Sequence, residues 1–151
     1  MKQLSIIPCG RKKIWDVDVH MGAVPTKKAY VGTFHKLCRN YAEKFTDQWV
    51  VLSAKHGFLL PEDIVNQNYD VTFNHKSSEI ISYNALQEQV TNKGLDQFDE
   101  LIVLTGKKYK KVIYGSFNNS VSCSFPLLNC SGIGYMQQVL KNAVQENKPI
   151  H

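Results

Sequence analysis

Three glycine-bearing turns in this chain carry basic and nucleophilic side chains directly behind apolar runs. Cys9-Gly10-Arg11-Lys12-Lys13 follows Leu4-Ser5-Ile6-Ile7 and Pro8. Ser53-Ala54-Lys55-His56-Gly57 follows Trp49-Val50-Val51-Leu52, and Thr105-Gly106-Lys107-Lys108 follows Leu101-Ile102-Val103-Leu104. Each apolar run reads as a short strand, the third most plainly, and the second has the unbroken pattern of a strand buried on both faces, as in a mostly parallel sheet. Parallel sheets bind ligands outside the carboxyl ends of their strands. If these strands are parallel, the three turns share one edge. That edge would hold several ammonium groups, free backbone N–H groups and two or three hydroxyls, a setting that suits a phosphate or a nucleotide. Neither Gly10 nor Gly106 belongs to a GxxxxGK[ST] or GxGxxG loop, which disfavours ATP hydrolysis and dinucleotide binding.

Individual side chains sharpen this expectation. An imidazole at His56 can act as general acid or base, or donate a hydrogen bond to a base edge or a phosphate. The blander role for His56 and Lys55 is to fix their own loop. Cys9 lies among cations that favour a thiolate, yet a small residue at a strand end is the more ordinary reading, and no covalent step is expected. Hydrolysis wants a carboxylate. Asp70, after Tyr69, is the best placed to orient water or to offset positive charge on a sugar; otherwise it closes an Asx turn. Asp16, Asp18, Glu62 and Asp63 are weaker options. Tyr30 could stack on a base or belong to the core. The candidate catalytic pair is therefore His56 and Asp70. The candidate ligand-binding set is Cys9, Gly10, Lys12, Lys13, Tyr30, Ser53, Lys55, Gly57, Gly106, Lys107 and Tyr109. No metal and no cofactor is expected. Cys9, Cys38, Cys123 and Cys130 form no CxxC pair, and His20, His35, His56, His75 and His151 are scattered.

The scaffold beneath these groups follows from periodicity. Phe34, Leu37, Cys38, Tyr41, Ala42 and Phe45 share one helical face, with Thr33 as N-cap and Gly32 as the alternative. Arg11 to Thr26 has no period and contains Gly22 and Pro25; it reads as a long loop, ordered only when something binds. Residues 61–76 look irregular. Ser77 or Ser78 caps a helix running to about Asn92 and stopped by Gly94, with Ile80, Tyr83, Leu86 and Val90 as its buried stripe. A short helix carries Tyr109, Val112 and Ile113 on one side. Val121–Phe125 reads as a last strand. Gly132 and Gly134 open a final helix that buries Met136, Val139, Leu140 and Val144. Strand and helix alternate, so the expected architecture is α/β: a single-domain three-layer sandwich over residues 1–151 with a mostly parallel central sheet.

Composition agrees with a globular chain. The 151 residues are 43% hydrophobic and 21% charged, with a net charge of +5. This mildly basic balance permits a nucleic-acid or nucleotide partner without demanding one. No apolar stretch approaches the roughly 20 residues of a membrane span, and the run at 4–7 is too short for a signal peptide. The expected location is cytoplasmic, with no membrane partner. The sequence leaves the oligomeric state open.

The motifs also form a pattern. Cys9-Gly10-Arg11-Lys12-Lys13, Ala29-Tyr30-Val31-Gly32, Leu52-Ser53-Ala54-Lys55-His56-Gly57-Phe58-Leu59 and Tyr69-Asp70 resemble the DUF6884 type of bacterial and phage proteins. So do Leu104-Thr105-Gly106-Lys107-Lys108-Tyr109, Pro126-Leu127 and Gly132-Ile133-Gly134. There is a distant similarity to YaaA-like proteins and to the uracil-DNA-glycosylase-like fold. The resemblance spans nearly the whole chain and is most specific at Ser53–Leu59. It implies a strand-end cleft for a nucleobase or nucleotide, in the setting of nucleic-acid metabolism and modified bases. Two departures bear on substrate: Ile14–Lys28 is longer and more polar than the pattern, and Asn129-Cys130-Ser131 is less apolar. The expected function is a nucleic-acid or nucleotide processing enzyme, an N-glycosidase for a modified base. Lys12, Lys13, Lys55 and Lys107 would hold phosphates, His56 would stabilise the leaving base, and Asp70 would handle the water or the sugar cation. The alternative is a nucleotide or nucleic-acid binding protein without catalysis. A third reading, a protein adaptor, would need an exposed apolar patch.

Overall fold

The apolar runs at 4–7, 49–52 and 101–104 form neighbouring parallel strands. A computed structural model describes residues 2–74, 76–117 and 121–151. In chain order, β1 (Gln3–Pro8) leads through α1 (Ile14–Val17), β2 (Val24–Pro25) and α2 (Thr26–Ala29) to α3 (Thr33–Phe45). Then come β3 (Gln48–Ser53), β4 (Gly57–Leu59), β5 (Ile64–Val65) and α4 (Tyr83–Asn92). The chain closes with β6 (Glu100–Val103), α5 (Lys110–Ser116), β7 (Ser122–Ser124) and α6 (Ile133–Glu146). The central sheet has the order β4-β3-β1-β6-β7. β1 pairs in parallel with β3 and β6, β6 pairs in parallel with β7, and only β4 runs antiparallel, against β3. β2 and β5 form a separate two-stranded ribbon.

Side chains alternate across the sheet and build two cores. Ile7, Val51, Ile102 and Leu104 pack on one side with Cys38, Tyr41, Ala42, Leu140 and Ala143 of α3 and α6. Leu4, Ile6, Val50, Leu52, Leu101 and Val103 pack on the other with Leu86, Val90, Val112 and Ile113 of α4 and α5. Each of these fully buried aliphatic side chains contributes about 1.5–3 kcal/mol. The result is the three-layer α/β sandwich. The connections from β1 to β3 and from β6 to β7 run in opposite directions across the sheet, so right-handed crossovers lay their helices, α3 and α5, on opposite faces. That places a topological switch between β1 and β6, where the loops behind the two strands diverge.

Local chemistry sets the helix limits. Gly32, not Thr33, is the N-cap of α3, with an extended backbone and no side-chain cap bond. At the other end, the Thr46 hydroxyl lies 2.7 Å from the Ala42 carbonyl and 2.8 Å from Ser5 Oγ, which ties the helix terminus to β1. α4 starts later than the serines at 77 and 78 suggest. The Ile81 N–H donates to the Ala54 carbonyl at 2.8 Å, which keeps the chain extended up to Ser82. Ser82 then caps the helix by accepting from the Ala85 N–H at 3.1 Å. Leu86 and Val90 are buried as the periodicity predicts, but Tyr83 is 42% exposed.

The segment from Arg11 to Thr26 is not a loop awaiting a ligand. It folds on its own contacts. Trp15 in α1 is buried and donates from its indole nitrogen to the Gly22 carbonyl at 3.2 Å. Val24 pairs with Val65. Thr26 gives both its N–H and its hydroxyl to the Asp63 carbonyl, each at 2.8 Å. Each element here is a turn or less around one buried anchor, so no hydrophobic period exists to announce it.

Candidate functional site

Parallel pairing of β1, β3 and β6 carries the three turns to the same edge of the sheet. Two of them need glycine for their geometry: Gly10 and Gly57 both have φ of +75°, a region that L side chains rarely occupy. Gly10 turns the chain sharply away from β1, above His35. Gly57 closes the Ser53–His56 turn, and its open side faces Gln89 and Ile81 of the α4 region rather than the cleft.

The centre of the site is Tyr69, which periodicity does not single out. Its hydroxyl is hydrogen-bonded to the Tyr30 hydroxyl and lies 2.8 Å from Ser53 Oγ. Ser53 Oγ also accepts the backbone N–H groups of Lys55 at 3.3 Å and His56 at 3.1 Å. With both lone pairs so engaged, Ser53 gives its own proton to Tyr69. Burial pushes the Tyr69 phenol up to about 12 and Tyr30 still higher, so both remain neutral donors and acceptors. Three cationic or aromatic groups surround the Tyr69 ring. Lys13 Nζ stands 4.6 Å from its centroid, Lys55 Nζ 6.0 Å, and the His56 ring meets it edge-on at 4.8 Å.

His56 is half-buried. Desolvation first, then the charges of Lys55 and Lys93, hold its imidazole below the usual range, so it is neutral near pH 7. The Gln89 side chain fixes its loop by donating to the His56 carbonyl at 2.8 Å and accepting the Phe58 N–H at 2.8 Å. Lys93 Nζ donates to the Phe58 carbonyl at 2.5 Å and pairs with Asp63 at 2.8 Å. Cys9 is partly exposed at the end of β1. Desolvation raises its thiol despite the opposing charges of Lys13 and Lys108. Tyr109, behind β6, is pushed up to about 12 by burial and by Cys9, and it meets the Phe73 ring edge-on at 5.8 Å.

A cleft of about 390 Å³ opens beside this cluster, lined by Arg11, Lys13, Asp16, Asn68, Tyr69 and Asp70. Asp16 is held in place: one carboxylate oxygen accepts the Lys13 N–H at 2.9 Å, the other the Asn68 amide at 3.2 Å. These bonds lower the Asp16 carboxyl below its ordinary range. Asp70 is exposed, and among the described residues no hydrogen bond orients it.

The structure thus gathers Cys9, Lys13, Tyr30, Ser53, Lys55, His56 and Tyr109 on one rim, with Asp70 on the adjoining cleft. Lys12 and Lys107 are exposed. The Lys12 carbonyl accepts the Val31 N–H at 3.1 Å. Lys108, rather than Lys107, is the β6-turn cation whose charge reaches Cys9. Gly106 leads into the 3-10 turn Lys107–Tyr109, with open space where a side chain would stand. Sequence reasoning passed over Tyr69 as a hub, and Arg11 and Asn68 as lining. The one available signal was the position of Tyr69 beside Asp70. Among the described residues no three His, Cys, Asp or Glu side chains gather as a metal-binding group, and no helix is long and apolar enough to cross a membrane. His75 lies outside the described residues.

Comparison with known proteins agrees with the motifs. The chain is 49% identical over 146 residues to the uncharacterized protein YfjM of Bacillus subtilis (strain 168), with 97% of each chain covered. No solved structure matches it. The DUF6884 family, described as a family of unknown function, matches residues 5–142, and the rim turns of β1, β3 and β6 all fall within that span. The chain therefore belongs to the DUF6884 family.

Proposed function

We propose that this protein is a nucleotide- or nucleic-acid-processing enzyme that cleaves an N-glycosidic bond in the cleft at the carboxyl edge of the sheet. One observation carries the reading: an imidazole, a set of hydroxyls and two lysines meet at that edge, with a carboxylate on the adjoining cleft. Glycosidic cleavage builds negative charge on the departing base and positive charge on the sugar. A neutral His56 donates a hydrogen bond to the base as it leaves. The exposed carboxylate of Asp70 faces the sugar side, where it offsets the developing cation and orients water. Lys13 and Lys55 hold phosphate oxygens, and Tyr109 with Phe73 offers an aromatic face to the base. The reading assumes the cytoplasm, a reducing compartment in which the free Cys9 stays a thiol.

The test is chromatographic detection of free base after incubation with nucleotides and with oligonucleotides bearing modified bases. His56→Gln and Asp70→Asn should each lower release by roughly 100-fold or more while leaving binding nearly intact. A second reading, a binding protein without catalysis, draws on one observation: the Asp70 carboxylate is not pre-oriented by any described neighbour. Saturable binding with no base released from any substrate would favour it.

A further inference from the structure

Lys13 is a buried charged side chain with no acid at ion-pair distance among the described residues. The residue is only 5% exposed. None of the ion pairs among the described residues includes it. Its ammonium makes one hydrogen bond, to the Arg11 carbonyl at 3.3 Å, and otherwise faces the Tyr69 ring. An ammonium carries three donors, so two of them have no protein acceptor among the described residues. Lysines are almost never this buried unless paired. The two oxygens of Asp16 accept the Lys13 backbone N–H and the Asn68 amide; these bonds, and then the Lys13 charge, help lower its carboxyl, but it does not come within ion-pair distance of the ammonium. Two of its donors are therefore available to an anion from outside, and the 390 Å³ cleft that Lys13 lines is the route in.

The shape of the site says which kind of anion. A polynucleotide backbone is met by exposed cations along an open track, because both ester oxygens of each phosphate are tied into the strand. Here the Lys13 ammonium is recessed. The two cations of the cleft, Lys13 and the exposed Arg11, are matched by two carboxylates, Asp16 and Asp70. The lining therefore has no net pull on a passing polyanion, and its carboxylates repel the further phosphates of a strand. A small ligand avoids that conflict. It sets one terminal phosphate on Lys13 and turns its sugar hydroxyls, which donate well to carboxylates, toward Asp70 and Asn68. Resting on the nucleotide reading above, we infer that Lys13 seats a terminal phosphate, so the substrate class is a free nucleoside monophosphate rather than an internal nucleotide of a strand.

The inference is tested with the whole protein by thermal melting and calorimetric titration, using inorganic phosphate, uridine, uridine 5′-monophosphate and a hydroxyl-ended oligonucleotide as probes. Phosphate and the monophosphate should raise the melting temperature of the wild type, while uridine and the oligonucleotide should not. Lys13→Met removes an unpaired charge, so without ligand it should melt no lower than the wild type, and it should bind phosphate at least about tenfold more weakly. Lys13→Arg should keep measurable phosphate binding, and Lys28→Met should behave as the wild type. Undiminished phosphate protection of Lys13→Met would overturn the inference. So would tighter binding of the hydroxyl-ended oligonucleotide than of the monophosphate, or a marked loss of stability in ligand-free Lys13→Met. The two ideas fail separately. Phosphate binding through Lys13 without base release from any substrate removes the glycosidase reading alone. Base release from oligonucleotides with phosphate binding indifferent to Lys13 removes this inference alone.

Discussion

His35 offers a direct test of how the rim is supported. It sits beneath the first turn, fully buried, with Nδ1 2.9 Å from the Pro8 carbonyl at the end of β1. Tyr30 and Trp49 flank the ring, with centroids 5.4 and 6.5 Å away. Burial drives its imidazole from 6.5 down to about 4; the hydrogen bond to Pro8 opposes this, and Arg39 and Lys36 add to it. The folded ring is neutral and donates its Nδ1 proton to Pro8. The unfolded chain, by contrast, takes up a proton on this residue below about pH 6.5. The sign follows. Stability from this site is complete above about pH 6.5 and declines as the pH falls toward about 4. The gap is worth about 3 kcal/mol in all, of which about 2 kcal/mol disappears between about pH 7 and about pH 5. Urea unfolding of the wild type and of His35→Gln at the two pH values measures it, since glutamine keeps a donor for Pro8 and does not titrate. The wild type should lose about 2 kcal/mol more than the variant over that interval. Equal losses would refute the reasoning, because they would mean the folded protein protonates His35 as readily as the unfolded chain does.

Other consequences are equally open to measurement. Tyr69→Phe strands the Ser53 and Tyr30 hydroxyls and should cost about 1–3 kcal/mol in denaturant unfolding; a change near zero would show that the hydroxyl cluster is not a structural unit. Gly57→Ala must adopt a left-handed backbone and would drive its Cβ into Gln89 Oε1, so a loss of about 2 kcal/mol is expected in the same assay. Gln89→Ala frees the His56 carbonyl and the Phe58 N–H, and amide exchange at Phe58 should quicken by about tenfold or more. The raised thiol of Cys9 should make its alkylation near pH 7 slower than that of an unstructured cysteine, rising steeply above about pH 9, as followed by peptide mass spectrometry.

The sheet and its cationic edge were legible because unbroken apolar runs ended in glycine turns announce parallel strands and fix their direction. Cys9, Ser53 and the residues behind β6 could be placed on one rim from that argument alone. α3 was equally plain, since six apolar residues share a face. What escaped was built from contacts distant in sequence. α1 and α2 carry a single buried anchor or two; α1 is tied to Gly22 and Asn68, and α2 donates hydrogen bonds to the Pro61 and Asp63 carbonyls. The start of α4 is set by Ala54, 27 positions away, through the Ile81 N–H. Tyr69 went unweighed for the same reason: its importance comes from Tyr30 and Ser53, 39 and 16 positions away.

One arrangement reaches beyond the cleft. β4 is the outermost strand on its side of the sheet, and its central residue, Phe58, would ordinarily present an unclaimed N–H and C=O to any passing chain. The amide of Gln89 and the ammonium of Lys93 occupy those two positions. Two side chains one helical turn apart thus impersonate an adjacent strand. The sheet is closed to further strand addition there, so neither a peptide ligand nor a second copy of the chain can be recruited along that border without first evicting them.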